Sequence, residues 1–309
     1  MIVITAKAHP FLLTYLQKRG LKVLYEPNIS YEELALLMPN VSGLVVTTRL
    51  AIDQALIAIA PLLKWIARLG SGMELIDTTF AATKNIVCIS SPEGNCNAVA
   101  EHALGMLLTM QHKLVISAHL IKAGKWIREE NRGNELSKKT IGIIGYGNTG
   151  VALAKLLTPF GGTLLAYDKY KKDFGGKVIR EAELSQISKY ADVISFHVPL
   201  SSETKYMANA DFFNGLANKP FIINTARGNV VHTEALINAL KENKISGAAL
   251  DVLENEKLDT YTDVEKQQLD YLLNNKSVII TPHIAGYSVE AFLKMSEVVV
   301  SKLEMLQLI

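Results

Sequence analysis

Ile141-Gly142-Ile143-Ile144-Gly145-Tyr146-Gly147-Asn148-Thr149-Gly150 decides the fold: an apolar run passes directly into a G-x-G-x-x-G loop near the middle of the chain. A buried parallel strand that must turn tightly, let its backbone approach a pyrophosphate and start a helix whose first amides face the phosphates needs glycine at these points. The helix is expected over 149–160, where Val151, Leu153, Ala154, Leu156 and Leu157 suit a crossover helix lying on a sheet. A second apolar run at 163–167 ends in Asp168. A carboxylate there accepts from a ribose 2′-hydroxyl and repels a 2′-phosphate, which favours NAD; the nearby Lys169, Lys171 and Lys172 leave NADP open. A lone glycine loop is common. The strand before, the helix after and the acid downstream make this one a dinucleotide site, with Gly145, Gly147, Asn148, Thr149 and Gly150 around the phosphates.

Upstream, short apolar runs at 2–5, 21–25, 44–48, 65–69 and 86–89 alternate with helical patterns, which predicts βα units and a parallel sheet. Ser90-Ser91-Pro92-Glu93-Gly94-Asn95 breaks the alternation, and one long helix is expected over 97–123, ending near Gly124. Downstream, strands are expected at 141–145, 163–167, 177–179, 192–196, 220–224, 247–250 and 277–280, a set that fits a doubly wound sheet with ligands beyond its carboxyl ends. A last helix near 289–308 is too apolar to stand free and is expected to return to the first domain. The expected fold class is α/β, with two doubly wound parallel-sheet domains: a flavodoxin-like substrate domain from 1–95 and 285–309, and a Rossmann cofactor domain, 96–284, inserted into it.

The 309 residues suffice for two such cores. With 49% hydrophobic and 20% charged residues and a net charge of +2, the chain has no electrostatic footprint for nucleic acid or an anionic membrane. Cys88 and Cys96 are the only cysteines and form no metal-type pair, so a reduced, cytoplasmic protein without disulfides is expected. The start, Met1-Ile2-Val3-Ile4-Thr5, reads as a strand rather than a signal peptide. The apolar stretch 98–118 is interrupted by Glu101, His102, Gln111, His112 and Lys113, which speaks against a membrane span.

Polar residues stand just past predicted strand ends, where a doubly wound fold exposes its chemistry. Phe221-Ile222-Ile223-Asn224 leads into Thr225-Ala226-Arg227-Gly228; an arginine there can grip a carboxylate and polarise the adjacent carbonyl, although it also reads as a surface arginine in a turn. Ala248-Ala249-Leu250-Asp251 is followed by Glu256, which reads as a solvated loop acid unless a histidine meets it. Val278-Ile279-Ile280-Thr281-Pro282-His283 ends the last strand; imidazole is the natural proton donor near neutral pH and a carboxylate beside it fixes the ring, while alone it reads as structural. Arg227, Glu256 and His283 together are equipment for reducing a 2-oxo acid. His197 reads as a wall of the cofactor groove. His102, His112 and His119 share the long helix without i, i+4 spacing, and no HExxH string occurs, so no metal site is expected.

The ordered set of Arg68 to Asp77, Ala98-Val99-Ala100-Glu101-His102, the glycine loop, His197-Val198-Pro199-Leu200, Asn224 to Gly228, Asp251 to Glu256 and Pro282-His283-Ile284-Ala285-Gly286 spans nearly the whole chain. It resembles the D-isomer-specific 2-hydroxyacid dehydrogenases, most of all their short phosphoglycerate dehydrogenase-type members. The resemblance implies that Arg227, Glu256 and His283 are the catalytic trio. It also implies that amides around Ser71 and Gly72 hold the substrate carboxylate, with Arg49 and Asn95 as further substrate residues. Asp251 would contact the nicotinamide carboxamide, Thr225, Ala226 and Gly286 would line the same end, and His197, Val198, Pro199 and Thr204 would complete the cofactor contacts. The implied activity is reversible hydride transfer between NAD(H) and a 2-hydroxy or 2-oxo acid, with 3-phosphoglycerate as the leading substrate. The implied assembly is a homodimer through the cofactor domain, including the long helix.

Two departures bear on this. Phosphoglycerate-type members commonly carry an Arg-Ser pair after the third strand, whereas this chain has Thr47-Thr48 followed by Arg49, which weakens the case for a phosphorylated substrate. The sequence stops at Ile309, so a C-terminal regulatory domain and feedback by serine are not expected. Two alternatives stay open: an NAD-sensing, corepressor-like binding protein, and a dehydrogenase for glyoxylate, lactate or formate.

Overall fold

A computed structural model describes all residues from Met1 to Ile309. The chain divides into two compact units, Met1–Ala98 with Gly286–Ile309, and Val99–Ala285. The first unit holds five parallel strands, β1 (Ile2–Ile4), β2 (Val23–Tyr25), β3 (Gly43–Val46), β4 (Trp65–Arg68) and β5 (Val87–Ser90), in the order β2-β1-β3-β4-β5. Strands β1, β3 and β4 are buried throughout, as a parallel sheet covered on both faces requires. The two-residue period sorts their side chains: Val3, Leu44, Val46 and Ile66 enter one apolar cluster, and Ile2, Ile4, Val45, Trp65 and Ala67 the other. The second cluster is completed by Val299, Val300 and Leu303 of the helix Val289–Met305, packed with Leu12 and Leu16 of the helix Pro10–Lys18. Lys302 Nζ fastens that last helix by donating to Ser90 O at 2.8 Å and to Glu93 at 2.9 Å. The C-terminal residues thus belong to the first unit because their apolar stripe closes one of its faces.

The second unit holds seven parallel strands, β6 (Thr140–Ile144), β7 (Thr163–Tyr167), β8 (Ile179–Glu181), β9 (Val193–Phe196), β10 (Phe221–Asn224), β11 (Gly247–Leu250) and β12 (Val278–Ile280). Their order is β12-β11-β10-β9-β6-β7-β8. β6 pairs with both β7 and β9, so the winding direction reverses beside it, and the loops after β6 and β9 flank that switch point. Alternation again builds two faces: Phe221 and Ile223 join one cluster and Ile222 the other.

Two expectations need correction. β8 lies two residues beyond the expected 177–179. The single helix expected over 97–123 is two helices, Pro92–Gln111 and Leu114–Lys122, bent by 57°. The first starts earlier because Pro92 suits a first helical turn, where no amide partner is needed. The break follows because the Gln111 carbonyl accepts the Asn134 N–H at 2.9 Å, while Lys113 takes a left-handed φ of 53°. No single helix is long and apolar enough to cross a membrane.

Candidate active site

The glycine loop begins where β6 ends. Gly145 has φ +96°, which L side chains rarely adopt, and a Cβ there would come within 2.5 Å of the His197 carbonyl oxygen. A Cβ on Gly150 would overlap the Gly145 carbonyl. These close approaches press the loop after β6 against the loop after β9. Gly147, in contrast, faces open space at the start of the helix Asn148–Leu157, whose N-terminus has no side-chain cap. Uncapped first-turn amides beside open space make a cradle for an anion.

Asp168 is tied to this loop. Its Oδ2 accepts from Tyr146 N at 2.9 Å and its Oδ1 from the amides of Tyr170 and Lys171 at 3.0 and 3.1 Å. The three lysines that left NADP open all have partners: Lys169 pairs with Glu203 at 2.5 Å, Lys172 with Glu183 at 3.8 Å, and Lys171 Nζ donates to Tyr146 O at 2.9 Å.

Past β9, His197 is buried, and burial pushes its imidazole down to about 4, so the ring is neutral. Its Nε2 meets Ser195 Oγ at 2.8 Å, whereas Nδ1 is buried without a partner. Past β10, Thr225 Oγ1 is likewise buried and unpartnered. Two orphaned polar atoms at neighbouring strand ends, beside an open helix N-terminus and a seated acid, fit a dinucleotide that brings its own donors and acceptors. Val198 packs near Gly145, and Thr204 Oγ1 donates to Pro199 O at 2.6 Å within a tight turn.

Arg227, Glu256 and His283 follow β10, β11 and β12, three adjacent strands in register at Asn224, Leu250 and Ile280. Buried Asn224 folds the first turn, with Oδ1 accepting from Ala226 N at 3.1 Å and Nδ2 donating to Arg227 O at 2.9 Å. Arg227 Nη1 donates to Ala226 O at 2.7 Å. His283 Nδ1 lies 2.9 Å from Glu256 Oε2, and both side chains are a little over two-fifths exposed. A carboxylate only accepts, so in this contact Nδ1 carries hydrogen and donates, which leaves Nε2 as the ring nitrogen turned away from Glu256. Asp251 is 1% exposed and accepts from Thr281 Oγ1, Ile284 N and Ala285 N, so its carboxylate holds the loop that bears His283.

In the first unit, Ser71 Oγ donates to Asn95 Oδ1 at 3.0 Å, and Gly286 lies against the Asn95 amide. Ser71 and Gly72 are half-buried. Arg49 differs from expectation: Nε and Nη2 donate to Thr5 O at 3.1 and 2.7 Å and Nη2 also to Ile29 O, so only Nη1 is uncommitted. Thr281, which sequence reasoning passed over, enters through its contact with Asp251.

A Rossmann unit with an acid seated at its glycine loop is the architecture of a nicotinamide-nucleotide dehydrogenase. Residues 104–285 match the family model described as the D-isomer specific 2-hydroxyacid dehydrogenase, NAD binding domain. Hydroxypyruvate reductase of Thermotoga maritima is 33% identical over 276 residues, covering 89% of this chain and 88% of that protein. D-3-phosphoglycerate dehydrogenase of Archaeoglobus fulgidus is 32% identical over 289 residues, covering 93% of this chain but 53% of that protein, so the chain spans about half the length of that relative. The structure of D-lactate dehydrogenase from Aquifex aeolicus, complexed with NAD and lactic acid, is 27% identical with a TM-score of 0.85, over 99% of this chain and 96% of that one. The chain belongs to the D-isomer-specific 2-hydroxyacid dehydrogenases, and its cofactor is NAD.

Proposed function

We propose that this chain reduces a small 2-oxo acid to the D-2-hydroxy acid, and catalyses the reverse, with Arg227, Glu256 and His283 as its reacting groups. The observation that carries the reading is the 2.9 Å pairing of Glu256 with His283 Nδ1, which turns Nε2 into a proton-exchanging atom. Bound NADH supplies the hydride. Arg227 polarises the carbonyl, His283 Nε2 protonates its oxygen, and Glu256 holds the ring and stabilises the imidazolium; in the reverse direction neutral Nε2 takes the hydroxyl proton. The same reading assigns the amides of Ser71 and Gly72, with Asn95, to the substrate carboxylate. Gly145 to Gly150, Asp168, His197 to Pro199, Thr204, Thr225, Ala226, Asp251 and Gly286 are assigned to the cofactor.

An unphosphorylated acid is favoured, because Thr47 and Thr48 offer no cation and Arg49 donates through Nε and Nη2 to backbone carbonyls. The second reading, 3-phosphoglycerate, rests on the uncommitted Nη1 of Arg49 and on the likeness to phosphoglycerate dehydrogenase. A second copy of the chain is the proposed partner: the helix Leu114–Lys122 buries none of its residues, and Leu114, Val115, Ile121 and Trp126 are exposed.

NADH oxidation with hydroxypyruvate, glyoxylate, pyruvate and 3-phosphohydroxypyruvate, in wild type and His283→Ala, tests the reading. Turnover that falls by about 10²–10⁴-fold in the variant is expected. No turnover on any acid, with NADH binding retained, supports the non-catalytic NAD sensor instead. A higher kcat/KM for 3-phosphohydroxypyruvate than for hydroxypyruvate favours the phosphorylated substrate.

A further inference from the structure

The loop after β12 has a strained backbone, because His283 sits at φ +53°, a region that costs energy for a residue with a Cβ. Asp251 makes most of the contacts that hold it there, with the Thr281 carbonyl also accepting from His283 N at 3.0 Å. The Asp251 carbonyl accepts from His283 N at 2.7 Å, Oδ1 from Ile284 N at 2.9 Å, and Oδ2 from Ala285 N at 2.8 Å. Three consecutive amides therefore point at a single buried aspartate, and the two bonds to its carboxylate are charge-assisted. Oδ1 also accepts from Thr281 Oγ1 at 2.6 Å.

That bond fixes the next one. The hydroxyl has one hydrogen, and Asp251 takes it. The Thr281 oxygen also lies 3.0 Å from His102 Nε2, so in this contact His102 must donate and its Nε2 must carry hydrogen. The same Nε2 is 3.6 Å from Asp251 Oδ1. A directed chain results, from His102 Nε2–H to Thr281 Oγ1–H to Asp251 Oδ1, the oxygen that also accepts from the Ile284 amide next to His283. His102 comes from the helix Pro92–Gln111, far from Thr281 in sequence, so the chain pins the loop to an element outside its own strand.

We infer that His102 is a positioning residue for His283, acting through Thr281 and Asp251 to hold the strained loop in the geometry that presents Nε2. The inference rests on His283 being the proton donor. Breaking the chain at either donor should loosen the same loop, so the effects of the two breaks should not add.

The test compares wild type, His102→Ala, Thr281→Val, the double variant and Thr281→Ser, all as the full chain. Turnover with NADH and hydroxypyruvate is followed together with hydrogen exchange at residues 283–285 in the cofactor-free protein. His102→Ala and Thr281→Val are each expected to lower kcat about tenfold and to speed exchange at these amides by a similar factor, the effect of losing one partly buried hydrogen bond. KM for NADH should change less than kcat, since neither His102 nor Thr281 is itself assigned to the cofactor. The double variant should be no worse than the poorer single variant, and Thr281→Ser, which keeps the hydroxyl, should retain kcat. Unchanged exchange in both single variants, additive losses, or failure of Thr281→Ser to rescue would overturn the inference. His283→Ala separates the two levels: if it keeps full kcat, the proton-donor reading fails, whatever the exchange data say about the loop.

Discussion

His197 makes the acid response of the cofactor unit calculable. The ring is buried and neutral in the fold, with its pKa pushed down to about 4 by burial. In the unfolded chain the same imidazole titrates near its ordinary value of about 6.5. As pH falls from about 6.5 to about 4, the unfolded state binds a proton that the folded state refuses, so stability declines across that window. Above it both states are neutral, and below it both are protonated, so the loss saturates. The complete gap corresponds to roughly 3 kcal/mol, of which about 2 kcal/mol is already lost at pH 5. Glutamine at this position does not titrate. Urea unfolding of cofactor-free wild type and His197→Gln at pH 7 and pH 5 therefore has a defined outcome: the wild type should lose about 2 kcal/mol more than the variant between the two pH values. Carboxylates common to both proteins cancel in that difference. Equal losses in the two proteins, or a His197 ring that NMR shows protonating near pH 6.5 in the fold, would refute burial as the controlling force.

Other substitutions probe the rest of the machinery. Gly150→Ala drives a methyl group into the Gly145 carbonyl, which is backbone and cannot swing aside; NADH binding, followed by fluorescence titration, should be lost or weakened by at least about 100-fold, with a lower melting temperature. Asp168→Ala removes the acceptor for the Tyr146, Tyr170 and Lys171 amides; calorimetry should show NADH affinity falling about tenfold and the preference over NADPH narrowing. Trp126→Asp places a charge on the exposed apolar surface proposed to meet a second copy; sedimentation velocity should show wild-type dimers converted to monomers, and an unchanged sedimentation coefficient would dismiss that surface as the contact.

The strands were legible because parallel strands buried on both faces read as continuous apolar runs, and Phe221-Ile222-Ile223 is the plainest case. Arg227, Glu256 and His283 stand out in the sequence for a related reason: in this architecture a polar residue just past a strand end is where ligands reach it. Contacts between residues distant in sequence were hidden. Nothing near Gln111 announces that Asn134 will take its carbonyl and break the helix, and nothing near Arg49 announces that the carbonyls of Thr5 and Ile29 will engage its guanidinium. The family resemblance gives Asp251 a cofactor contact but not its hold on the His283 loop, because the amides it accepts lie more than thirty residues downstream.

Asp168, Asp251 and Glu256 all stand beyond strand ends in the cofactor unit, and residue type does not distinguish their tasks. Asp168 accepts three amides and shapes the turn at the glycine loop. Asp251, almost wholly buried, accepts backbone amides and a hydroxyl, none of which can exchange a proton near neutral pH. Glu256 meets the His283 imidazole directly at 2.9 Å and partly exposed, whereas the His102 ring comes no closer than 3.6 Å to Asp251 Oδ1. A carboxylate whose partners are backbone amides shapes a loop, whereas one paired with an imidazole can, on the proposed reading, follow a proton through a reaction. The partner sorts the acids, and the sheet order sets the partner: β11 beside β12 brings Glu256 to His283, while the same pairing brings Asp251 under the loop that aims it.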